Sequence, residues 1–171
     1  MDQEELIRQI MAEVMKNLGS ENQVAFEKKP VPAGTTVGVA DYPLAERRPD
    51  LVRTDSGARL AELTFERLKS GELKPSDFKI SAETLELQAQ VADDVGRGSL
   101  ARNLRRAAEL VAVPDDRLLA IYDALRPYRS TKQELLDIAA ELEGTYHAKA
   151  AGAFVREAAE VYQARGRLRV D

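Results

Sequence analysis

The stretch Val113-Pro114-Asp115-Asp116-Arg117-Leu118-Leu119-Ala120-Ile121-Tyr122-Asp123-Ala124-Leu125-Arg126-Pro127-Tyr128-Arg129-Ser130-Thr131-Lys132 packs a helix start, an amphipathic body, a proline stop and a second helix start into one short run. Pro114 followed by Asp115 and Asp116 opens a helix, because carboxylates accept from the free N–H groups of a first turn and sit well at the positive end of the helix dipole. Leu118, Ile121, Tyr122 and Leu125 fall on one face of it. Arg126 ends it, since the residue before a proline is pushed out of the α region. Ser130-Thr131-Lys132-Gln133-Glu134 then offers two overlapping capping boxes, Ser130/Gln133 and Thr131/Glu134, for the next helix.

Working outward, the same punctuation repeats and predicts an all-α fold, a small irregular helical bundle. Towards the C-terminus, a helix over 132–143 is followed by a last one running to Arg165 with Phe154, Val155, Ala158, Val161 and Tyr162, and Gly144 breaks or bends the junction. Towards the N-terminus, Ser99 starts a helix with Leu100, Leu104, Ala107, Ala108 and Val111 inside. Before it, Ser81 caps one carrying Leu85, Leu87, Ala89 and Val91 that stops at Gly96. Asp55 or Ser56 caps a further helix with Leu60, Leu63, Thr64 and Leu68, closed by Gly71 and Pro75. Residues 42–52, with Pro43 and Pro49, read as an irregular arm whose Leu44, Leu51 and Val52 press onto a neighbouring surface. The best strand candidate, Thr36-Val37-Gly38-Val39, is short and broken by glycine. No repeat of 30–45 residues occurs, which excludes a solenoid.

The organisation expected is therefore an N-terminal amphipathic docking or targeting helix over 1–19, a flexible linker over 20–37 and a helical domain over 38–171. Leu6, Ile7, Ile10, Met11, Val14, Met15 and Leu18 share one face of the first segment, and Gly19 ends it. The linker holds Lys28-Lys29-Pro30-Val31-Pro32-Ala33-Gly34-Thr35-Thr36 and has no periodicity. A lone helix of this length is marginal in water, so its apolar face wants a surface. That surface is either the chain's own domain or another protein. A membrane-surface helix would carry a Lys/Arg-rich polar face, and here acidic residues dominate.

Composition narrows the function. The chain has 171 residues, 32% of them charged but only 5% aromatic, with no Trp. A thin supply of bulky core residues leaves either apolar surface completed by a partner or a small helical core that manages on Leu and Ala. The net charge of −4 argues against a nucleic-acid footprint. Without Cys there is no disulfide, iron–sulfur cluster or thiolate metal site. No apolar run reaches the roughly 18 residues of a membrane span, and the start Met1-Asp2-Gln3-Glu4-Glu5 is not a secretory signal. The expectation is a soluble intracellular protein.

Candidate chemistry is sparse. The single His147, beside Tyr146 and Lys149 on a helical stretch, cannot build a zinc site of the usual kind and reads as a surface histidine. Asp93-Asp94 and Asp115-Asp116 are adjacent carboxylates that point about 100° apart on a helix, so they do not converge on one atom; capping and solvation explain the second pair. No phosphate-cradling glycine loop or nucleophile elbow is present. Arg97, Arg102, Arg105 and Arg106 cluster around one turn and helix, where they read as a solvated face balanced by Glu109 and its neighbours. Arg126 and Arg129 flank Pro127-Tyr128, and Arg and Tyr of this kind anchor subunit interfaces. No catalytic, cofactor-binding or metal-ligating residue is assigned.

The spelling of several segments resembles the small (gamma) subunit of coenzyme-B12-dependent diol and glycerol dehydratases. These segments are Asp41-Tyr42-Pro43-Leu44-Ala45, Ile80 to Ala89 with Gly96-Arg97, Asn103 to Pro114 leading into the stretch quoted first, and Ala153 to Ala159. They follow in order over roughly residues 38–165. The resemblance implies a non-catalytic small subunit of a hydro-lyase, assembled with large and medium subunits as two copies of each, and packing on the large one. The reaction implied is 1,2-propanediol to propanal, with glycerol to 3-hydroxypropanal as a related activity. Adenosylcobalamin is held by the partner subunits, and the cobalt-binding motif Asp-x-His-x-x-Gly is absent around His147. Longer relatives on the diol dehydratase side carry an N-terminal extension of this kind, which resembles an address for the lumen of a bacterial microcompartment. The partners expected are thus the two other subunits and, through residues 1–19, shell or co-packaged proteins, with no nucleic acid and no membrane. The competing reading is a stand-alone helical adaptor that binds a partner through its N-terminal helix.

Overall fold

The computed structural model describes residues 34–170, so the helix expected over 1–19 and the linker up to residue 33 lie outside the described residues. Over the described residues the protein is all-α, as expected, with seven α-helices, three short 3-10 turns and two isolated β-bridges. The chain divides between Val95 and Gly96 into two compact units.

The first unit contains α1 (Leu44–Arg47), α2 (Phe65–Lys69) and α3 (Ala82–Asp94). Ser81 caps α3 as expected, its hydroxyl accepting from the Thr84 N–H at 3.1 Å. The Thr84 hydroxyl in turn donates to the Arg53 carbonyl at 3.0 Å and ties the preceding loop to the helix. Leu87 and Val91 of α3 form a buried cluster with Val37, Leu44, Leu51 and Val52. This corrects the reading of residues 42–52 as an arm pressed onto a neighbour: Leu44, Leu51 and Val52 are buried within their own unit. Residues 37–39 are pinned to the same helix, since Gln90 Oε1 accepts from Val37 N at 3.1 Å and Asp94 Oδ2 from Val39 N at 2.7 Å.

The helix expected from Asp55 or Ser56 through Leu68 does not form as one element. The chain turns over 54–57, where Gly57 has a φ of 96°, makes a 3-10 turn over Leu60–Glu62 and restarts as α2. Thr64 was placed inside that helix by its spacing; it is the cap of α2, its Oγ accepting from Arg67 N at 3.3 Å. A threonine that can bond the backbone locally favours a helix start over a helix interior.

The second unit contains α4 (Gly98–Leu110), α5 (Asp115–Ala124), α6 (Lys132–Gly144) and α7 (Lys149–Ala164). Its core is built from Val113, Ile121, Leu135, Ile138, Leu142 and Val155, with alanines between them. Small residues let α6 and α7 approach closely. A Cβ on Gly152 would stand 3.0 Å from the Ala139 carbonyl oxygen and 2.5 Å from Glu143 Cγ. Of the two capping boxes available before α6 the fold uses Thr131/Glu134, with Glu134 N donating to Thr131 Oγ1 at 3.3 Å and Thr131 N to Glu134 Oε2 at 2.8 Å. Ser130 instead donates to the Ala124 carbonyl at 2.9 Å and satisfies the end of α5. Two other expectations shift. α4 starts at Gly98, so Ser99 lies in its first turn rather than capping it, and Ala101 is buried while Leu100 is exposed. His147 is not on a helical stretch; it occupies the left-handed region, at φ 56°, in the turn between α6 and α7.

Candidate functional site

The described aromatic side chains lie outside the buried core. Tyr42, Phe65, Phe78, Tyr122, Tyr128 and Phe154 are exposed, and Tyr146 and Tyr162 are only partly buried. Leucine, valine and alanine fill the interior, so the residues with the largest contact area and fewest rotatable bonds remain on the surface. That distribution suits an interface, where Tyr, Phe and Arg are enriched.

Two of those rings are engaged by the chain itself. The Arg106 guanidinium lies 4.2 Å from the Phe154 ring centre and also donates to Asn103 Oδ1 at 2.9 Å. Arg167 lies 5.4 Å from the Tyr128 ring centre and donates to its hydroxyl. The C-terminal segment is thereby strapped along the turn before α6, with Tyr128 N donating to the Arg167 carbonyl at 2.8 Å and Arg169 N to the Ser130 carbonyl at 2.9 Å. The expected Arg126–Arg129 interface segment therefore divides. Arg126 faces out beside Asp123 at 3.3 Å, whereas the Arg129 carbonyl is occupied by the Arg169 side chain at 2.8 Å.

Helix α5 carries the most exposed apolar pair. Ile121 is buried, and Leu118 and Leu125 pack on the core. Tyr122 was expected on that same face; it is 56% exposed, because it lies about 100° round the helix from Ile121. Leu119, one turn before it, is 69% exposed.

Beside α5 runs an open cleft of about 490 Å³, its apolar lining made by Ala120, Ala124 and Ile138. One end holds the Arg117–Glu141 pair, in which Arg117 Nε donates to Glu141 Oε1 at 2.9 Å and its NH2 group donates to Oε2. The Arg117 hydrogen bonds and charge hold the Glu141 carboxyl below its ordinary range, and the same pairing raises Arg117. At the other end Arg169 donates to Glu134 Oε1 at 2.9 Å. Glu134 is held low first by the Thr131 backbone N–H and then by Arg169.

The remaining candidates have local structural roles. Asp115 and Asp116 stand in the first turn of α5, as the dipole argument requires. Asp94 anchors Val39. Glu109, read as a balance for the α4 arginines, caps α7: its two carboxylate oxygens accept from Ala150 N at 3.0 Å and Ala151 N at 2.9 Å. Separations of 41 and 42 residues hid those contacts from the sequence. His147 is exposed. Among the described residues no three His, Cys, Asp or Glu side chains are grouped to hold a metal ion, and no helix is long and apolar enough to cross a membrane.

Comparison with known proteins identifies the family. The chain is 47% identical over 167 residues to the propanediol dehydratase small subunit of Salmonella typhimurium LT2, covering 96% of each chain. It is 53% identical over 136 residues to the propanediol dehydratase small subunit of Citrobacter freundii, covering 80% of this chain and 79% of that one. A family model described as dehydratase small subunit matches residues 37–169, almost the whole of the described fold. The chain belongs to the dehydratase small-subunit family.

Proposed function

We propose that this chain is the non-catalytic small subunit of an adenosylcobalamin-dependent diol dehydratase that converts 1,2-propanediol to propanal and glycerol to 3-hydroxypropanal. One observation carries the reading: the match to a propanediol dehydratase small subunit spans 96% of both chains. The surface aromatics support a role in packing on the large subunit, within an assembly of two copies each of large, medium and small chains. Adenosylcobalamin supplies the radical chemistry of such enzymes. The residues described here do not fit that group: His147 is exposed at a turn, and the cleft beside α5 is open and lined by ion-paired side chains. On this reading the cofactor lies with the partner subunits, and this chain stabilises the assembly that encloses it.

Residues 1–19 add a docking helix on the linker 20–37, directed at a microcompartment shell or a co-packaged enzyme. The 96% coverage means that the Salmonella relative carries an N-terminal segment of comparable length. The test is co-expression with the large and medium subunits of the same source, followed by assay of propanediol dehydration with added adenosylcobalamin. Activity that requires this chain, in a complex holding it at equal stoichiometry, is the expected result. A fully active two-subunit enzyme that never co-purifies with it overturns the reading in favour of a stand-alone adaptor.

A further inference from the structure

We propose that residues 166–170, which follow α7, form a releasable latch over one end of the cleft beside α5, with Tyr128 as the residue that catches it. The latch starts at the end of α7. Gly166 has a φ of 61° and donates its N–H to the Gln163 carbonyl at 3.2 Å, while Arg167 N donates to the Tyr162 carbonyl at 2.8 Å. These two bonds are those of a Schellman motif, which ends the helix and redirects the chain. Arg167 and Arg169 are thereby carried onto the turn between α5 and α6. There Tyr128 N donates to the Arg167 carbonyl at 2.8 Å, and Arg169 N to the Ser130 carbonyl at 2.9 Å. The Arg169 guanidinium donates to the Arg129 carbonyl at 2.8 Å and to Glu134 Oε1 at 2.9 Å.

The receiving turn holds a residue poorly suited to it. Arg129 N donates to the Arg126 carbonyl at 3.2 Å across Pro127 and Tyr128, and Tyr128 has a φ of 65°. Proline followed by a positive φ marks a type II turn, whose second central position normally goes to glycine or asparagine. A bulky side chain there is strained, and it persists only where surrounding contacts over-determine it. Those contacts come from the latch: the Arg167 guanidinium lies 5.4 Å from the Tyr128 ring centre and donates to its hydroxyl. Glycine would relax the backbone and leave Arg167 no ring to hold, so the tyrosine serves the latch at the expense of the turn.

The latch is built to open apart from the core. Leu168 packs on the core of the second unit but is only partly buried, and Gly166, Arg167, Arg169 and Val170 are exposed. The Arg169–Glu134 pair is exposed too, of the kind worth little in water. Segments with few buried apolar contacts and solvent-exposed bonds open at lower free energy than a core. Arg129, Ser130, Glu134 and Arg169 line the cleft. Opening therefore takes Arg169 out of the cleft wall and frees the Arg129 and Ser130 carbonyls and the Glu134 carboxylate.

Native-state amide hydrogen exchange of the full chain, read residue by residue, tests the latch. The Tyr128 and Arg169 amides should share one protection factor to within about twofold, the mark of a common local opening. That factor should lie at least tenfold above an unstructured chain and at least tenfold below Leu142 in α6 and Val155 in α7. No protection at either amide means that the latch does not close, and overturns it. Protection equal to that of Leu142 and Val155 means that the segment opens only with the core, and overturns it as well. Unequal protection of Tyr128 and Arg169 overturns the common opening. Tyr128→Gly and Arg167→Ala should each lower Arg169 protection at least fivefold while Leu142 and Val155 stay unchanged. Unchanged Arg169 protection overturns the role of Tyr128 as the catch, and loss of protection at Leu142 and Val155 in either variant overturns the separation of latch from core.

Discussion

At the scale of single residues, Glu141 shows what one paired side chain contributes to this fold. Its carboxylate is chelated by the Arg117 guanidinium, Nε donating to Oε1 at 2.9 Å and the terminal NH2 to Oε2, a fork geometry that matches two oxygens at once. Hydrogen bonding to Arg117 is the largest influence, and it lowers the carboxyl below the ordinary 4.5 although partial burial pushes the other way. A carboxyl whose folded pKa is depressed stabilises the fold above its unfolded pKa and loses that contribution as pH falls through the folded value. Both side chains remain about one-third exposed, so solvent screening holds the pair to about 1 kcal/mol. Glu141→Gln should therefore lower the urea midpoint of the full chain at pH 7, and the gap to wild type should close as pH drops below about 4. A gap that persists undiminished at pH 3 would mean that packing, not charge, holds this position. The Arg117–Glu141 contact was invisible in the sequence because 24 residues separate its partners; the charges were legible, their pairing was not.

Helices show which signals travel locally and which do not. The ends of α3, α5 and α6 were legible, because Ser81, Pro114 and Thr131 act on backbone groups within three or four residues. The segment 54–68 misled, because apolar spacing alone cannot tell one helix from a turn, a 3-10 turn and a short helix in series. The start of α7 was beyond reach for a third reason. Its N-cap position is Ala148, which has no side-chain acceptor, and the missing acceptor arrives from α4 as Glu109. Ala151 is buried, so water is a poor substitute at its N–H. Glu109→Ala should cost about 1–2 kcal/mol, as loss of a good cap does, read as a lower urea midpoint with an unchanged slope. Glu109→Gln keeps one acceptor and should recover part of the loss. If Glu109→Ala is neutral, the cap is not what fixes α7 against α4.

For the whole molecule, the anchoring of residues 37–39 decides how the N-terminal extension can be studied. The sequence placed the linker end at residue 37, on the grounds that periodicity is absent until then. Val37 is nevertheless buried with Leu44, Leu51, Val52, Leu87 and Val91, and its N–H is held by Gln90. One apolar residue with a long-range partner makes no pattern along the chain, so the anchor could not be read there. Burying a valine is worth roughly 1.5–3 kcal/mol, and the Asp94 bond to Val39 N adds a charge-assisted contact at 2.7 Å. Two truncations that differ by only six residues should thus behave differently. A chain starting at Gly34 keeps the whole anchor; on the function proposed above, the enzyme assembled with it should retain full dehydratase activity and wild-type thermal inactivation and should lose incorporation into microcompartments. A chain starting at Ala40 removes Val37 from the core and the Val39 N–H from Asp94, and should inactivate at a lower temperature in the same complex. Loss of catalysis in the longer chain, with the complex intact, would mean that residues 1–33 serve the reaction itself and not its packaging. Equal heat stability of the two would mean that residues 37–39 are an attachment without energetic weight.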